Sequence, residues 1–303
     1  MNHQAVADLV GAQRLAAIER PSNWRGLWCV LCQYGLLAGA FVIAAIWPNP
    51  LTITLGVLVI GSRQLGFFIL SHECGHRSLF ANKRWNEFFA TWLLAPWDFA
   101  NNRAYMREHL THHRSAGQAD DPDLTNYVDY PIPKARLRRK LLRDITGQTG
   151  WRNLRFNLEG LFRLGQQTPE QRAALLRGAG ANGLLLSILT ASGHAWLYLM
   201  WIAGLLFVQP LVARIRQIAE HAAVEDLRHP DPRKHTRTLY ANPLERLFIC
   251  PHQVNYHVEH HLLASVPIYR LRALHAALRE QGYFDGVLQM RGYGPLLRHV
   301  TTV

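Results

Sequence analysis

Two long stretches of the chain carry no Asp, Glu, Lys or Arg: Gly26 to Ser62, broken only by Pro48-Asn49-Pro50, and Gly178 to Ala213, with Ser192-Gly193-His194 in its middle. A helix needs about 20 apolar residues to cross a bilayer core about 30 Å thick. Each stretch is too long for one crossing and suits two, so each reads as a transmembrane hairpin with a short polar turn. Soluble core helices seldom run so far without a charge, which sets that class aside. The pattern predicts an all-α integral membrane protein with four transmembrane helices in two hairpins, spanning about residues 26–71 and 179–213.

The remaining blocks, about 72–178 and 214–303, are polar and basic, and the whole of 1–303 reads as a single domain. Trp85 to Trp97 is too short to span and rich in the aromatics that favour the membrane interface, so it is expected to lie on the surface. Asp120 to Leu124 and Pro131-Ile132-Pro133 read as ordered turns, and Lys134 to Arg143 as a basic helix near headgroups. The first residues form an amphipathic stretch without the layout of a cleaved signal peptide. Cys29 and Cys32 sit inside the first apolar run with no second pair to complete a zinc site, so they read as small packing residues.

Charge then orients the hairpins. Of the 33 Lys and Arg residues, all but Arg63 fall outside the apolar runs, and neither turn carries any. The positive-inside rule therefore places both polar blocks and both termini in the cytoplasm. A net charge of +12 distributed in this way suits anionic membrane lipids and small acidic redox partners, and calls for no nucleic acid. Arg63 lies within the second helix, on the side away from His72, where a structural partner is expected.

Nine of the 16 histidines gather in four places at or beyond the cytoplasmic ends of the runs. They are His72-Glu-Cys-Gly-His76, His109-Leu-Thr-His112-His113, the single His221, and His257-Val-Glu-His260-His261. Spacings of three and four put the imidazoles of each cluster on one helix face. Nine imidazoles exceed the coordination of a single ion, so two metals are implied; imidazole suits iron, zinc and copper. Glu73, Glu108, Glu220 and Glu259 each adjoin one of these histidines and are candidates to orient the rings. Of the other histidines, His252 is the one expected nearest the site.

The boxes HECGH, HLTHH and HVEHH, in this order around two hairpins, with DPDL after the second and NYHVEHHL around the third, resemble those of membrane fatty acid desaturases and related hydroxylases. The resemblance spans about residues 72 to 262. It implies a four-helix membrane architecture with a helical cytoplasmic cap carrying a di-iron site, which takes two electrons and O2 and removes hydrogen from an unactivated C–H bond. Carried over by position, the iron ligands would be His72, His76, His109, His112, His113, His221, His257, His260 and His261. Some relatives hold a metal-bound water with an Asn one turn before the isolated histidine; here that position is Gln217. Gln217 and Asn255 are the candidate outer contacts.

The expected reaction is desaturation of an acyl lipid, with hydroxylation of a lipid or other apolar substrate as the alternative. The chain shows no dinucleotide, flavin or haem signature, so electrons are expected from a ferredoxin-, rubredoxin- or cytochrome-b5-type carrier with its reductase. HECGH also fits the H-E-x-x-H motif of an intramembrane zinc protease, but the later apolar segments lack the Asp ligand such proteases use, and seven histidines would go unexplained. A metal transporter would place its ligands at the bilayer midplane, whereas these all lie outside it.

Overall fold

The computed structural model describes residues 2–302, which form helices joined by short turns. Helices α1 (His3–Val10) and α2 (Ala12–Glu19) precede α3 (Asn23–Ile46) and α4 (Pro50–Gly75). After α5 (Lys83–Phe88) the chain runs through a π-helical stretch, Phe89–Leu94, and a 3-10 turn, Ala95–Asp98, into α6 (Asn102–Ser115). Then α7 (Leu124–Tyr127), α8 (Lys134–Ile145) and α9 (Gln148–Phe162) lead to α10 (Pro169–Ala191). The helix Ala195–His221 contains α11 (Tyr198–Ala203), a π-helical stretch Gly204–Val208, and α12 (Gln209–His221). It is followed by α13 (Pro232–His235), α14 (Pro243–Phe248), α15 (His257–Leu262), α16 (Leu271–Glu280) and α17 (Tyr293–His299). Two parallel two-residue pairings, β1 (Ile132–Pro133) with β4 (Thr301–Thr302) and β2 (Leu239–Tyr240) with β3 (Met290–Arg291), tie down the C-terminal tail.

Four helices are long and apolar enough to cross a membrane: α3, α4, α10 and Ala195–His221. They outrun the uncharged stretches at both ends, because caps rather than charges set their limits. Ser22 caps α3, Asn49 forms a capping box with Thr52 ahead of Pro50, and Thr168 caps α10 ahead of Pro169. The extensions carry the chemistry, since His72 lies in the last turn of α4 and His221 ends α12.

Helix α4 is the centre of the bundle: 61% of its most apolar window is buried, against 28–39% for the other three. It crosses the fourth spanning helix where Gly61 meets Val208 and Gly204, and a Cβ on Gly61 would stand 2.4 Å from the Val208 side chain. Small residues are what allow so close a crossing. Arg63, 3% exposed, donates to Ser62 Oγ (3.0 Å) and the Leu247 carbonyl (2.8 Å), which supplies the structural partner expected of it. Gln33 donates to the Arg63 carbonyl and faces His252 Nε2 at 2.9 Å. His252 thus belongs to this network and makes no hydrogen bond to the clustered histidines, contrary to its expected place.

Candidate metal centre

Each histidine cluster is delivered by the end of a helix. Asn101 caps α6 by accepting from the Ala104 amide (3.1 Å), which starts a helix whose last two turns present His109, His112 and His113. The short α15 carries His257, His260 and His261 and is pinned from below: Thr238 accepts from the Val258 amide (3.2 Å), and Glu259 takes bonds from Thr238 and His275, both at 2.5 Å.

All nine histidines expected from the sequence meet, in two groups. His72, His76, His109, His113 and His260 form one, and His112, His221, His257 and His261 the other, with ligand atoms within 4.8 Å of one another in each group. In the first group the Nε2 atoms face each other: His72 to His109 at 2.7 Å, His109 to His113 at 2.9 Å, and His113 to His260 at 3.0 Å. In the second, His257 Nε2 lies 3.0 Å from that of His221 and 3.2 Å from that of His261. The groups adjoin, the rings of His113 and His261 stacking at 4.4 Å.

The opposite ring nitrogens decide what these close approaches mean. His221 Nδ1 lies 3.0 Å from the His235 carbonyl, which can only accept, so Nδ1 holds the proton and Nε2 offers a lone pair. Likewise, His112 Nδ1 meets Asp121 at 2.8 Å and His72 Nδ1 meets Glu73 at 3.1 Å. Glu220 stands 3.5 Å from His257 Nδ1. Burial first, then the neighbouring rings, pushes His113 down to about 2, and burial alone takes His76 to about 4. His109, His257, His260 and His261 are driven well below the usual histidine range by the same causes. Rings whose Nδ1 holds the proton cannot hydrogen-bond to one another through Nε2, whereas a cation between them takes their lone pairs at once. The residues therefore fit one metal ion per group.

Sequence reasoning found two of the orienting contacts and missed others. Glu73 bonds the His72 ring, Glu220 lies beside His257 without a hydrogen bond, Glu259 turns to His275 and Thr238, and Glu108 is exposed. Asp121, in the turn after the second box, was read only as a turn former. Bonds from His112, Tyr127 and the Gly117 amide outweigh its burial and hold its carboxyl at about 2. A carboxylate nine residues beyond His112 was the available signal. Gln217 lines an outward-facing pocket of about 320 Å³ with Tyr105, Asp123 and Arg214, and makes no hydrogen bond to a histidine among the described residues. Asn255 Nδ2 donates to the Leu239 carbonyl at 2.8 Å, away from the rings.

A small chamber of about 20 Å³ lies beside both groups, floored by His72, His109 and His260 of the first and His257 of the second, and walled by Phe68, Val254, Ile268 and Leu271. Arg216, ion-paired to Glu220 at 2.6 Å, lines both this chamber and the outward-facing pocket, as does Phe68.

The fold and site together define a membrane protein that gathers a histidine cluster able to hold metal where its spanning helices end. Residues 44–293 match the family described as fatty acid desaturase, and the chain belongs to that family of oxidoreductases. It is 25% identical to dihydrorhizobitoxine desaturase of Bradyrhizobium elkanii, over 87% of this chain and 78% of that one. It is 24% identical to the chloroplastic omega-6 fatty acid desaturase of Brassica napus, over 87% of this chain and 61% of that one. To the sn-1 acyl-lipid omega-3 desaturase (ferredoxin) of Synechocystis sp. it is 25% identical, over 86% of this chain and 76% of that one.

Proposed function

We propose that the protein is an O2-dependent di-iron desaturase that introduces a carbon–carbon double bond into an acyl lipid, with the nine histidines as iron ligands. The observation that carries this reading is the convergence of five and four imidazoles, their ligand nitrogens within 4.8 Å of one another in each group. The irons, when bound, supply the activation of O2 and the oxidising power to take hydrogen from a methylene, which no side chain has. The chain's own residues do the rest. Glu73, Asp121, Glu220 and the His235 carbonyl fix the rings. Phe68, Val254, Ile268 and Leu271 give the chamber apolar walls that keep water from the histidines. Phe68 and Arg216 stand between the chamber and the outward pocket, so a substrate chain enters by displacing them.

The whole of 1–303 acts as one domain. Helices α3 and α4 form one membrane hairpin, α10 and Ala195–His221 the second, and the two polar blocks form a cap. The cap and both termini are cytoplasmic, on the basic side of the charge distribution. Electrons come from a small acidic carrier such as a ferredoxin, rubredoxin or cytochrome b5 with its reductase, steered to that basic face.

Iron-replete protein expressed in cells should yield lipids two hydrogens lighter than their precursors, and the His260→Ala variant none. Products heavier by one oxygen would replace desaturation with hydroxylation, and one zinc per chain would overturn the iron assignment. With purified protein the rate at limiting carrier should fall as ionic strength rises from about 0.01 to 0.15 M, as the Debye length shrinks from about 30 to 8 Å. Full turnover on NAD(P)H alone would refute the external carrier. A reporter at Lys134 to Arg143 should be cytoplasmic and one at Ser192-Gly193 on the other side.

A further inference from the structure

A second cavity lies apart from the histidines. It is an open apolar groove of about 870 Å³ between α3, the Phe89–Asp98 segment and α10, and it shares no lining residue with the chamber on the metal centre. Its back wall is held by Trp97, which stacks on Phe67 at 5.5 Å, meets Trp201 edge-on at 5.3 Å, and donates to the Tyr34 hydroxyl at 2.8 Å. Small side chains open its floor, Ala38 on α3 and Gly180 with Ala181 on α10.

The groove has one polar end. Arg177 is its only charged residue, and its guanidinium sits over the ring of the exposed Trp92 at 5.5 Å. The basic residues of nearby α6 have acids of their own, Arg103 with Glu87 and Arg107 with Glu170. Arg177 pairs with no carboxylate among the described residues. From Arg177 the lining continues along α10 to Leu189, a rise of about 18 Å, which exceeds one leaflet of a core about 30 Å thick. A cation at one end, a Trp of the kind that marks the membrane interface, and an apolar trough of leaflet length match a single phospholipid. An unpaired guanidinium favours phosphate bidentately and repels the ammonium of a zwitterionic headgroup.

We propose that this groove is a binding site for one anionic phospholipid, its phosphate on Arg177 and an acyl chain between α3 and α10, distinct from the chain being oxidised. The proposal rests on the membrane location and on nothing about the metals, so it stands or falls independently of the reaction.

The test is native mass spectrometry of protein extracted into mild detergent from vesicles of equimolar dioleoyl phosphatidylglycerol and dioleoyl phosphatidylcholine. Wild type should retain one phospholipid, phosphatidylglycerol over phosphatidylcholine by about fivefold, the scale of one like-charge contact a few ångströms apart in water. Arg177→Gln should bring that ratio to parity. Ala181→Phe, and Ala38→Phe from the opposite wall, should retain no phospholipid, with a thermal unfolding midpoint and size-exclusion profile equal to wild type reporting that each variant is folded. Equal retention of the two lipids by wild type, an unchanged ratio in Arg177→Gln, or lipid still held by both filled variants would each overturn the site.

Discussion

The two histidine groups solve one problem by different means. The first draws on α4, α6 and α15 and has five rings; the second draws on α6, α12 and α15 and has four. In the first, orientation comes chiefly from Glu73, which reaches His72 at 3.1 Å and stands 4.0 Å from His260. Glu73 is itself held by Ser78 Oγ at 3.0 Å and the Ile268 amide at 3.1 Å. In the second, three of four rings have separate partners: Asp121 for His112, the His235 carbonyl for His221, and Glu220 for His257. The first group is thus built from helix ends with a donor to spare. The second has none to spare and depends on the turn around Asp121 and on the end of α13 at His235 to aim its rings.

The largest effect expected from this difference comes from removing one donor on each side. His261→Ala leaves the second group three rings, and should lose one equivalent of metal and all measurable desaturation. His76→Ala leaves the first group four, and should keep more of its metal than His261→Ala does. Metal per chain by elemental analysis, read beside product formation, decides it; equal losses would erase the distinction between five and four.

Acid comes next. In the metal-free protein the buried rings stay neutral in the fold, while in the unfolded chain they protonate near the usual histidine value of about 6.5. The unfolded state therefore binds more protons below that pH, and stability falls as pH drops. For His76 the loss runs from about pH 6.5 down to about 4, where its folded ring also protonates. His113 goes on losing stability to about 2. Thermal unfolding of metal-free protein in detergent should fall steadily from pH 7 to pH 4.5, and the slope should lessen in His76→Ala. A flat profile would mean that water reaches these rings.

The outer contacts should respond more modestly. Replacing a carboxylate behind a metal-bound imidazole usually costs about 10- to 100-fold in metal affinity or activity. Asp121→Asn should sit at the upper end, since Asp121 also holds the amides of Gly117 and Asp123 at 2.9 and 2.8 Å and so shapes the loop itself. Glu73→Gln should sit lower, because the first group has a fifth donor. Competitive chelation at neutral pH ranks the two, and the reverse order would sink the idea that the second group leans on that turn.

The same contrast explains what could be read from the sequence. Ligand spacing of three and four along a helix is periodic, so the three boxes stand out; the single His221 was read from its place just after the last uncharged run, and long uncharged runs make the four spanning helices visible. The break at Pro48-Asn49-Pro50 was legible, but α3 and α10 start before their uncharged runs, because Ser22 and Thr168 rather than charges set those starts. The outer contacts have no period. Asp121 reaches His112 through a turn, and His235 acts through its main chain, which no side-chain pattern records. Gln217 was placed by analogy of position, yet α12 turns it toward the outward pocket beside Tyr105.

The smallest predicted effect isolates the loop from the carboxylate. Tyr127 is buried, its hydroxyl donates to Asp121 and accepts from the Gly117 amide at 3.2 Å, and its ring stacks on His221 at 4.9 Å. Tyr127→Phe keeps the stack and the charge on Asp121 and removes only the hydroxyl. A single hydrogen bond of this kind contributes about 1 kcal/mol, or roughly fivefold in affinity. Metal affinity should therefore fall by no more than about that factor, in the second group alone, with the first unchanged. Asp121, losing one of the bonds that hold its carboxyl at about 2, should titrate higher in the variant, so retention of the second metal should begin to fail at a higher pH than in wild type. Equal weakening of both groups would show that Tyr127 acts on the fold as a whole, and no change at all would show that the His112 contact with Asp121 stands without it.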